Sequence, residues 1–233
     1  MSGQLYLLPC PISEAPALDA LPASTVETAR RIDHFLVEAA RTARATLKAM
    51  GHPKPIAELD IVEIGHDPAP ELISEWLQPV LDGADAAVLS ESGCPGVADP
   101  GAQIAARAHE LGIRVVPLTG PSSILLTLMA SGLDGQRFRF SGYLPKHDAE
   151  RRAAILAAEK ASRASETQLF IETPYRNTAL LDALLETLAP DTRLTVAIDV
   201  TGQNESIRTL TAAAWKAIPK AMRTLPKLPT VFA

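Results

Sequence analysis

Residues 89–101, with the sequence LSESGCPGVADPG, bring small, polar and acidic side chains together in one short segment. The segment follows the apolar run 86–89 and precedes apolar residues at helical spacing, which predicts a strand, a loop and a helix. Its three glycines permit tight turns and a close approach of a ligand to the backbone. In an open α/β sheet such a loop lies at the carboxyl end of its strand, where ligands bind. The pattern favours a small-molecule site, although ordinary surface loops share this composition.

Two further loops support the ligand-site interpretation. LTGPSS follows the strand predicted at 114–117, and the stiff, proline-rich PCPIS follows the strand predicted at 4–8. GxGxxG, the fingerprint of dinucleotide-binding folds, occurs nowhere in the chain. The site is therefore predicted to bind a small molecule other than a nicotinamide or flavin dinucleotide.

Other kinds of catalytic chemistry lack their residue patterns. Cys10 and Cys94 have neither CxxC nor Cys/His spacing, so neither a disulfide framework nor a zinc site is expected. Ser92 stands in the sequence ESG, which is not the GxSxG elbow of serine hydrolases. We expect neither a metal nor a covalent nucleophile.

Length and composition set the outer bounds. The 233 residues are 47% hydrophobic, enough for two domains, predicted at 1–117 and 118–233. The net charge of −5 gives no global footprint for nucleic acid, although it leaves room for a local basic patch. No apolar run is long enough to span a membrane, and the N-terminus lacks the basic region of a signal peptide. We expect a cytoplasmic protein.

Alternating strand and helix patterns predict an α/β fold: a mostly parallel sheet covered by helices in the first domain, and a mixed sheet in the second. Ser24 and Glu27 have the spacing of a capping box for a helix at 22–30. The predicted strands are 4–8, 33–37, 61–64, 86–89, 114–117, 138–141, 167–171, 193–199 and a short one within 228–233. The predicted helices are 22–30, 40–50, 70–81, 102–111, 122–131, 146–163 and 177–188.

Five segments resemble, in order, motifs of the tetrapyrrole methylase superfamily. SESGCPGVADPG resembles SDAGTPxxSDPG, TGPSS resembles PGPSA, and FRFSGYLP resembles FxFxGFLP; IETPYR and PCPIS are similar to YESPHR and VPTPIGN. Within the superfamily the chain most resembles the branch named ribosomal RNA small subunit methyltransferase I. The resemblance implies a class III methyltransferase fold of two α/β domains, with S-adenosylmethionine in the cleft between them, and a homodimer.

The same resemblance implies the residues that contact the cofactor. Backbone groups of the loops would make most of the contacts, and two apolar residues of the second domain would lie near the adenine. The implied contacts are Pro9, Ser92, Gly93, Cys94, Val97, Ser122, Ser123, Leu169 and Ile171. Asp99 is a weaker candidate, because an acid before Pro100 also serves to fix a turn.

Candidates on the substrate side come from VEAAR, which resembles AEDTR, and from a histidine-containing loop after the third strand. They are Glu38, Arg41 and His66, while Ala39 and Ala40 replace the family's Asp and Thr. If RNA is the acceptor, Arg41, Arg151, Arg152 and Arg176 are the cations predicted to meet its phosphates. Without the resemblance, these residues have the character of a solvated surface.

Three functions remain open at this point. The resemblance favours methylation of small-subunit rRNA at a ribose 2'-hydroxyl. An acidic chain with an altered VEAAR segment also suits methylation of a tetrapyrrole or another small molecule. The third function is that of an S-adenosylmethionine-binding module without catalysis. Only the first predicts a localised basic strip.

Overall fold

The computed structural model describes residues 2–14 and 17–233, which form two compact units, Met1–Ser122 and Ser123–Ala233. The division between the units, after Ser122, falls five residues after the domain boundary predicted at Pro117, and independently folding domains stay a prediction.

In the described part of the first unit, five strands form one parallel sheet in the order β3-β2-β4-β1-β5. Its strands are β1 (Gln4–Leu7), β2 (His34–Val37), β3 (Asp60–Glu63), β4 (Ala86–Leu89) and β5 (Arg114–Pro117). Its helices are α1 (Ala17–Ala20), α2 (Ala23–Ala29), α3 (Ala40–Ala49), α4 (Ile73–Trp76), α5 (Gln78–Leu81) and α6 (Ala102–Glu110), and Ile56–Glu58 forms a 3-10 turn.

Alternation along the strands gives the first sheet a core on each face. Phe35 and Val37 of β2 pack with residues of α2 and α3, whereas Leu36 between them packs with residues of α4, α5 and α6. All four residues of β2 and of β4 are buried. Both faces of these strands are thus covered, as expected for parallel strands inside an α/β sheet.

The second unit has a mixed sheet in the order β6-β7-β10-β8-β9, in which β6 and β7 are parallel and the other neighbours antiparallel. Its strands are β6 (Phe138–Tyr143), β7 (Thr167–Glu172), β8 (Arg193–Ile198), β9 (Ser206–Thr211) and β10 (Thr230–Phe232). Its helices are α7 (Ser123–Ser131), α8 (Asp148–Arg163), α9 (Asn177–Thr187) and α10 (Ala212–Ala217), and Lys220–Met222 forms a 3-10 turn. The stacked rings of Phe170 and Phe232 lie in its core, 5.7 Å apart.

Two local predictions were wrong. The single helix predicted at 70–81 is two short helices, α4 and α5, because Pro79 has no N–H with which to continue the helical ladder. The capping box was also misplaced: α2 begins one residue before Ser24, and Pro22 stands at its N-cap without a side-chain hydrogen bond. In addition, α1, β9 and α10 were not predicted.

Candidate functional site

The predicted ligand loops lie together at the carboxyl edge of the first sheet. They follow β4, β1 and β5, which are neighbours in the strand order. From β4 the chain runs to β5, at one edge of the sheet. From β1 and from β2, the two strands that flank β4, it runs towards the opposite edge. Such a reversal is a topological switch point, and ligands of open α/β sheets bind outside the strand ends there.

The loops after β1 and β4 are joined by backbone hydrogen bonds. The N–H of Cys10 donates to the carbonyl of Gly93 at 2.8 Å, and the N–H of Gly93 donates back to Cys10 at 3.2 Å. The Cys10 thiol is buried and donates to the carbonyl of Ser90 at 3.2 Å. Burial raises the pKa of this thiol to about 12, so Cys10 is a packing residue in its protonated form.

The loop after β5 packs against the other two. A Cβ atom built on Gly120 would stand 2.2 Å from the Cβ of Pro9, so the two backbones approach as closely as glycine allows. The Cys94 thiol donates to the carbonyl of Pro121 at 3.4 Å, and burial raises its pKa. The three loops therefore form one connected body.

The loop after β4 is held in a tight conformation by its own backbone. Gly93, Gly96 and Gly101 have φ values of 69°, 80° and 134°, and the N–H of Gly96 donates to the carbonyl of Pro100 at 2.9 Å. Ala98 also has a positive φ, 64°, which is uncommon for a residue with a Cβ and is a form of strain found at functional sites. Ser92 and Val97 project from this rigid loop as exposed side chains.

Glu38 and His66 are in direct contact, because each follows one of the neighbouring strands β2 and β3. The Nδ1 atom of His66 lies 3.0 Å from Oε1 of Glu38. The imidazole is 78% exposed, whereas the carboxylate is 11% exposed and also accepts the N–H of Glu91 at 3.0 Å. The hydrogen bond to Glu38 raises the pKa of His66 and directs its Nε2 atom away from the carboxylate.

Asp99 lies beside this pair. Together with His66 it lines a depression of about 210 Å³ that also includes residues 100–103. Partial burial and then the negative charge of Glu38 raise the pKa of Asp99 to about 6, although His66 and a hydrogen bond to Ser90 act in the opposite direction. This edge of the sheet therefore combines a histidine with one carboxyl group, that of Asp99, whose pKa is raised towards neutral pH.

Two acids that sequence analysis missed support the same edge. Glu63 at the end of β3 accepts the N–H of Ala40 at 2.8 Å, which satisfies a free donor in the first turn of α3. Glu91 accepts the hydroxyl of Thr42 at 2.8 Å. Neither role has a local sequence signature, because each side chain reaches a different strand–helix unit. Arg41 is exposed in the first turn of α3.

The remaining predicted residues lie mainly in the second unit. Ser122 immediately precedes α7, which begins at Ser123, and Leu169 and Ile171 share one face of β7, where Leu169 is fully buried. Two predicted phosphate ligands are in ion pairs, Arg151 with Asp148 and Arg176 with Glu172. Arg152 is exposed on α8. The contacts that these residues make with cofactor or substrate stay predictions.

A family model described as tetrapyrrole (corrin/porphyrin) methylases matches residues 17–215. This chain is a member of the tetrapyrrole methylase family. The family membership predicted from the sequence motifs is thus confirmed.

Curated members of the family resemble the chain over most of its length. The ribosomal RNA small subunit methyltransferase I of Neisseria meningitidis serogroup B is 29% identical over 86% of this chain and 65% of its own. The protein of the same name from Mesorhizobium japonicum is 33% identical over 90% of this chain and 68% of its own. The chain thus spans about two thirds of the length of these relatives.

A solved structure supports the fold. A diphthine synthase superposes with a TM-score of 0.67 at 16% identity, covering 99% of this chain and 89% of its own. The predicted fold class, α/β with the class III methyltransferase architecture, is confirmed.

Neither a metal cluster nor a membrane helix is found in the part of the chain that the structure describes. Its His, Cys, Asp and Glu side chains form no group of three or more that could hold a metal ion. Across residues 2–14 and 17–233, no helix combines the length and apolar character needed to cross a bilayer.

Proposed function

We propose that the chain is an S-adenosylmethionine-dependent methyltransferase that methylates small-subunit rRNA at a ribose 2'-hydroxyl. The observation that carries the proposal is the body of three bonded loops at the switch point of the first sheet, in a member of a methylase family. The loops supply a rigid surface, and the Glu38–His66 pair at the same edge supplies groups that can accept a proton.

The loops suit the cofactor because they offer backbone and small side chains. A side chain at Gly93 would meet Ile12 at 3.3 Å and adopt an unfavourable φ, so the packing of these loops requires glycine at this position. The residues proposed to contact the cofactor are Pro9, Ser92, Gly93, Cys94, Val97, Ser122, Ser123, Leu169 and Ile171. When bound, S-adenosylmethionine supplies an electrophilic methyl carbon on a sulfonium.

The residues at the edge would position the acceptor hydroxyl and remove its proton. With Nδ1 donating to Glu38, the Nε2 atom of neutral His66 is an acceptor, and its 78% exposure leaves it accessible. During methyl transfer the proton of the acceptor hydroxyl would pass to Nε2 of His66. Glu38 would stabilise the resulting imidazolium, and the main contribution of the loops would be positioning.

The distribution of charged residues between the two units supports an RNA acceptor. Of the 22 lysines and arginines, 8 lie in the first unit and 14 in the second; of the 27 aspartates and glutamates, 16 lie in the first unit and 11 in the second. The overall charge of −5 therefore conceals a second unit with excess positive charge, which suits phosphate contacts. The names of the relatives indicate the same substrate class.

A small-molecule acceptor such as a tetrapyrrole is the second candidate. Glu38, Glu91 and Asp99 at the edge of the first sheet would repel phosphates, which favours an acceptor without phosphate groups.

Our main proposal includes a homodimer located in the cytoplasm. The exposed side chains of Leu125 and Met129 on the apolar helix α7 support an interface with a second copy.

Comparison of small-subunit rRNA from cells with and without the protein tests the proposal. Mass spectrometry of nuclease digests should show one ribose methylation that is lost in its absence and restored by the intact gene. Restoration should fail with a variant in which His66 is replaced by glutamine. Identical modification in both rRNAs would reject the rRNA acceptor, and binding of S-adenosylmethionine by the purified chain would then favour the small-molecule candidate.

A further inference from the structure

The last part of the second unit is strongly basic. Residues 206–233 contain no aspartate or glutamate, and they carry five cations, Arg208, Lys216, Lys220, Arg223 and Lys227. In a chain with a net charge of −5, such a run creates a local positive field.

Three of these cations lie along one side of α9. Lys220 Nζ lies 3.2 Å from Oδ2 of Asp182. Further on, the N–H of Leu225 donates to the hydroxyl of Thr178 at 3.0 Å. Lys220 contacts Asp182, whereas the later residue Leu225 contacts the earlier residue Thr178. Residues 220–227 therefore lie antiparallel to α9 and lead towards its N-terminus.

Tyr175 stands where this segment reaches the start of α9. Its side chain is 80% exposed, and Lys227 Nζ lies 5.4 Å from the centre of its ring. A backbone hydrogen bond from Arg176 to Thr173, at 2.9 Å, closes a turn around Pro174 and Tyr175. The adjoining Arg176 is fixed by its ion pair with Glu172. The ring is thus an exposed aromatic surface on a fixed turn, with a cation beside it.

Arg223, between Lys220 and Lys227, has an unused donor. Its Nε atom is enclosed and finds no hydrogen-bond acceptor among the described residues. The enclosed Nε is out of reach of a ligand, so Arg223 would contact a phosphate through the terminal nitrogens of its guanidinium, for which a phosphate oxygen is a strong acceptor.

We propose that Tyr175, Lys220, Arg223 and Lys227, the α9 strip, bind a single-stranded segment of the RNA substrate. A base stacks on Tyr175, and successive phosphates contact the three cations. Aromatic stacking combined with a cationic path is the arrangement by which proteins bind single strands. The inference rests on the proposed RNA acceptor and adds the surface that recognises it. Tyr175 lies in the IETPYR motif, but none of the four residues was among the contacts predicted from the sequence.

Fluorescence anisotropy with a labelled single-stranded fragment of small-subunit rRNA tests the inference at several salt concentrations. Tyr175→Ala should raise Kd by about fivefold or more, whereas Tyr175→Phe, which keeps the ring, should leave it close to the parent. The triple variant Lys220→Gln/Arg223→Gln/Lys227→Gln should reduce the slope of log K against log salt by about 2. A triple variant at exposed cations elsewhere, Lys48→Gln/Arg114→Gln/Lys160→Gln, is the charge-matched control.

Circular dichroism and the cofactor-induced shift in Tm verify that each variant is folded and binds S-adenosylmethionine. If the parent binds RNA and the strip variants bind as tightly with an unchanged salt slope, the inference is overturned while the proposed function stands. Equal losses in the strip and control triples would likewise overturn it, since they would reflect net charge alone. A parent that binds S-adenosylmethionine and no RNA would reject the RNA acceptor itself.

Discussion

Gly120 packs so closely on Pro9 that a Cβ atom on the glycine would lie 2.2 Å from the Cβ of the proline. The contact joins the loop after β5 to the loop after β1, and both belong to the body of loops assigned to the cofactor. Real Cβ atoms do not approach this closely, so any side chain at position 120 must displace one of the two loops.

Gly120→Ala is therefore expected to lower the free energy of unfolding by about 1–3 kcal/mol and to weaken binding of S-adenosylmethionine. Urea unfolding and calorimetry measure the two effects. Gly135→Ala is the control, because no atom lies within 4 Å of a Cβ at that position. Normal cofactor affinity in a folded Gly120→Ala protein would argue against a site on these loops.

Replacement of the Glu38–His66 pair should change the pH dependence of methyl transfer. His66→Gln removes the proton acceptor and is expected to lower kcat by about 10²-fold or more. In the parent, kcat should rise with pH until the raised pKa of His66 is passed, because only neutral imidazole accepts a proton. In Glu38→Gln the inflection should move to lower pH. An unchanged pH profile of kcat in both variants would show that His66 takes no part in proton transfer.

Asp99 is expected to make the protein less stable as the pH rises. Its pKa in the folded protein, about 6, lies above its ordinary value of 3.8, so the folded state holds more protons between these values. Stability then falls as the pH rises from about 4 to 6 and stays low above that range. Asp99→Asn should raise the free energy of unfolding by about 1 kcal/mol at pH 8, after allowance for solvent screening of a half-buried group.

The gain from Asp99→Asn should disappear as the pH falls towards 4, and urea titrations at several pH values will show whether it does. Glu75→Gln, at an exposed carboxylate on α4, is the control for the loss of one negative charge. A constant difference between parent and Asp99→Asn across the pH range would contradict a raised pKa.

The two cysteines should react slowly with alkylating agents in the folded protein. Burial raises the pKa of both thiols, to about 12 for Cys10, so little thiolate forms at pH 8. Intact mass after iodoacetamide treatment should show no label on Cys10 until denaturant is added. Cys94, which is less buried, should be labelled first. Rapid labelling of Cys10 in folded protein would show that the loops open.

Sequence motifs predicted the strands of the first unit well, because each has an apolar centre and is followed by a distinctive loop. The motifs named Glu38 and His66 as separate candidates, and their contact was not predicted, because it depends on β2 and β3 being neighbours in the sheet. The support from Glu63 and Glu91 could not be predicted, because it depends on how separate strand–helix units meet. The alternation along β9 is weak, with no residue of SIRTLT fully buried, and this strand was missed.

The order of strands in the second sheet also determines when that sheet can form. β10, residues 230–232, lies between β7 and β8 and pairs with both, although both precede it by many residues. On the ribosome, the nascent chain therefore carries β7 and β8 with unpaired inner edges until Phe232 has left the exit tunnel. The first sheet has all its strands once Pro117 has emerged, so it can form during translation. The second sheet closes later, and until then its open edges are exposed to chaperones and to other nascent chains.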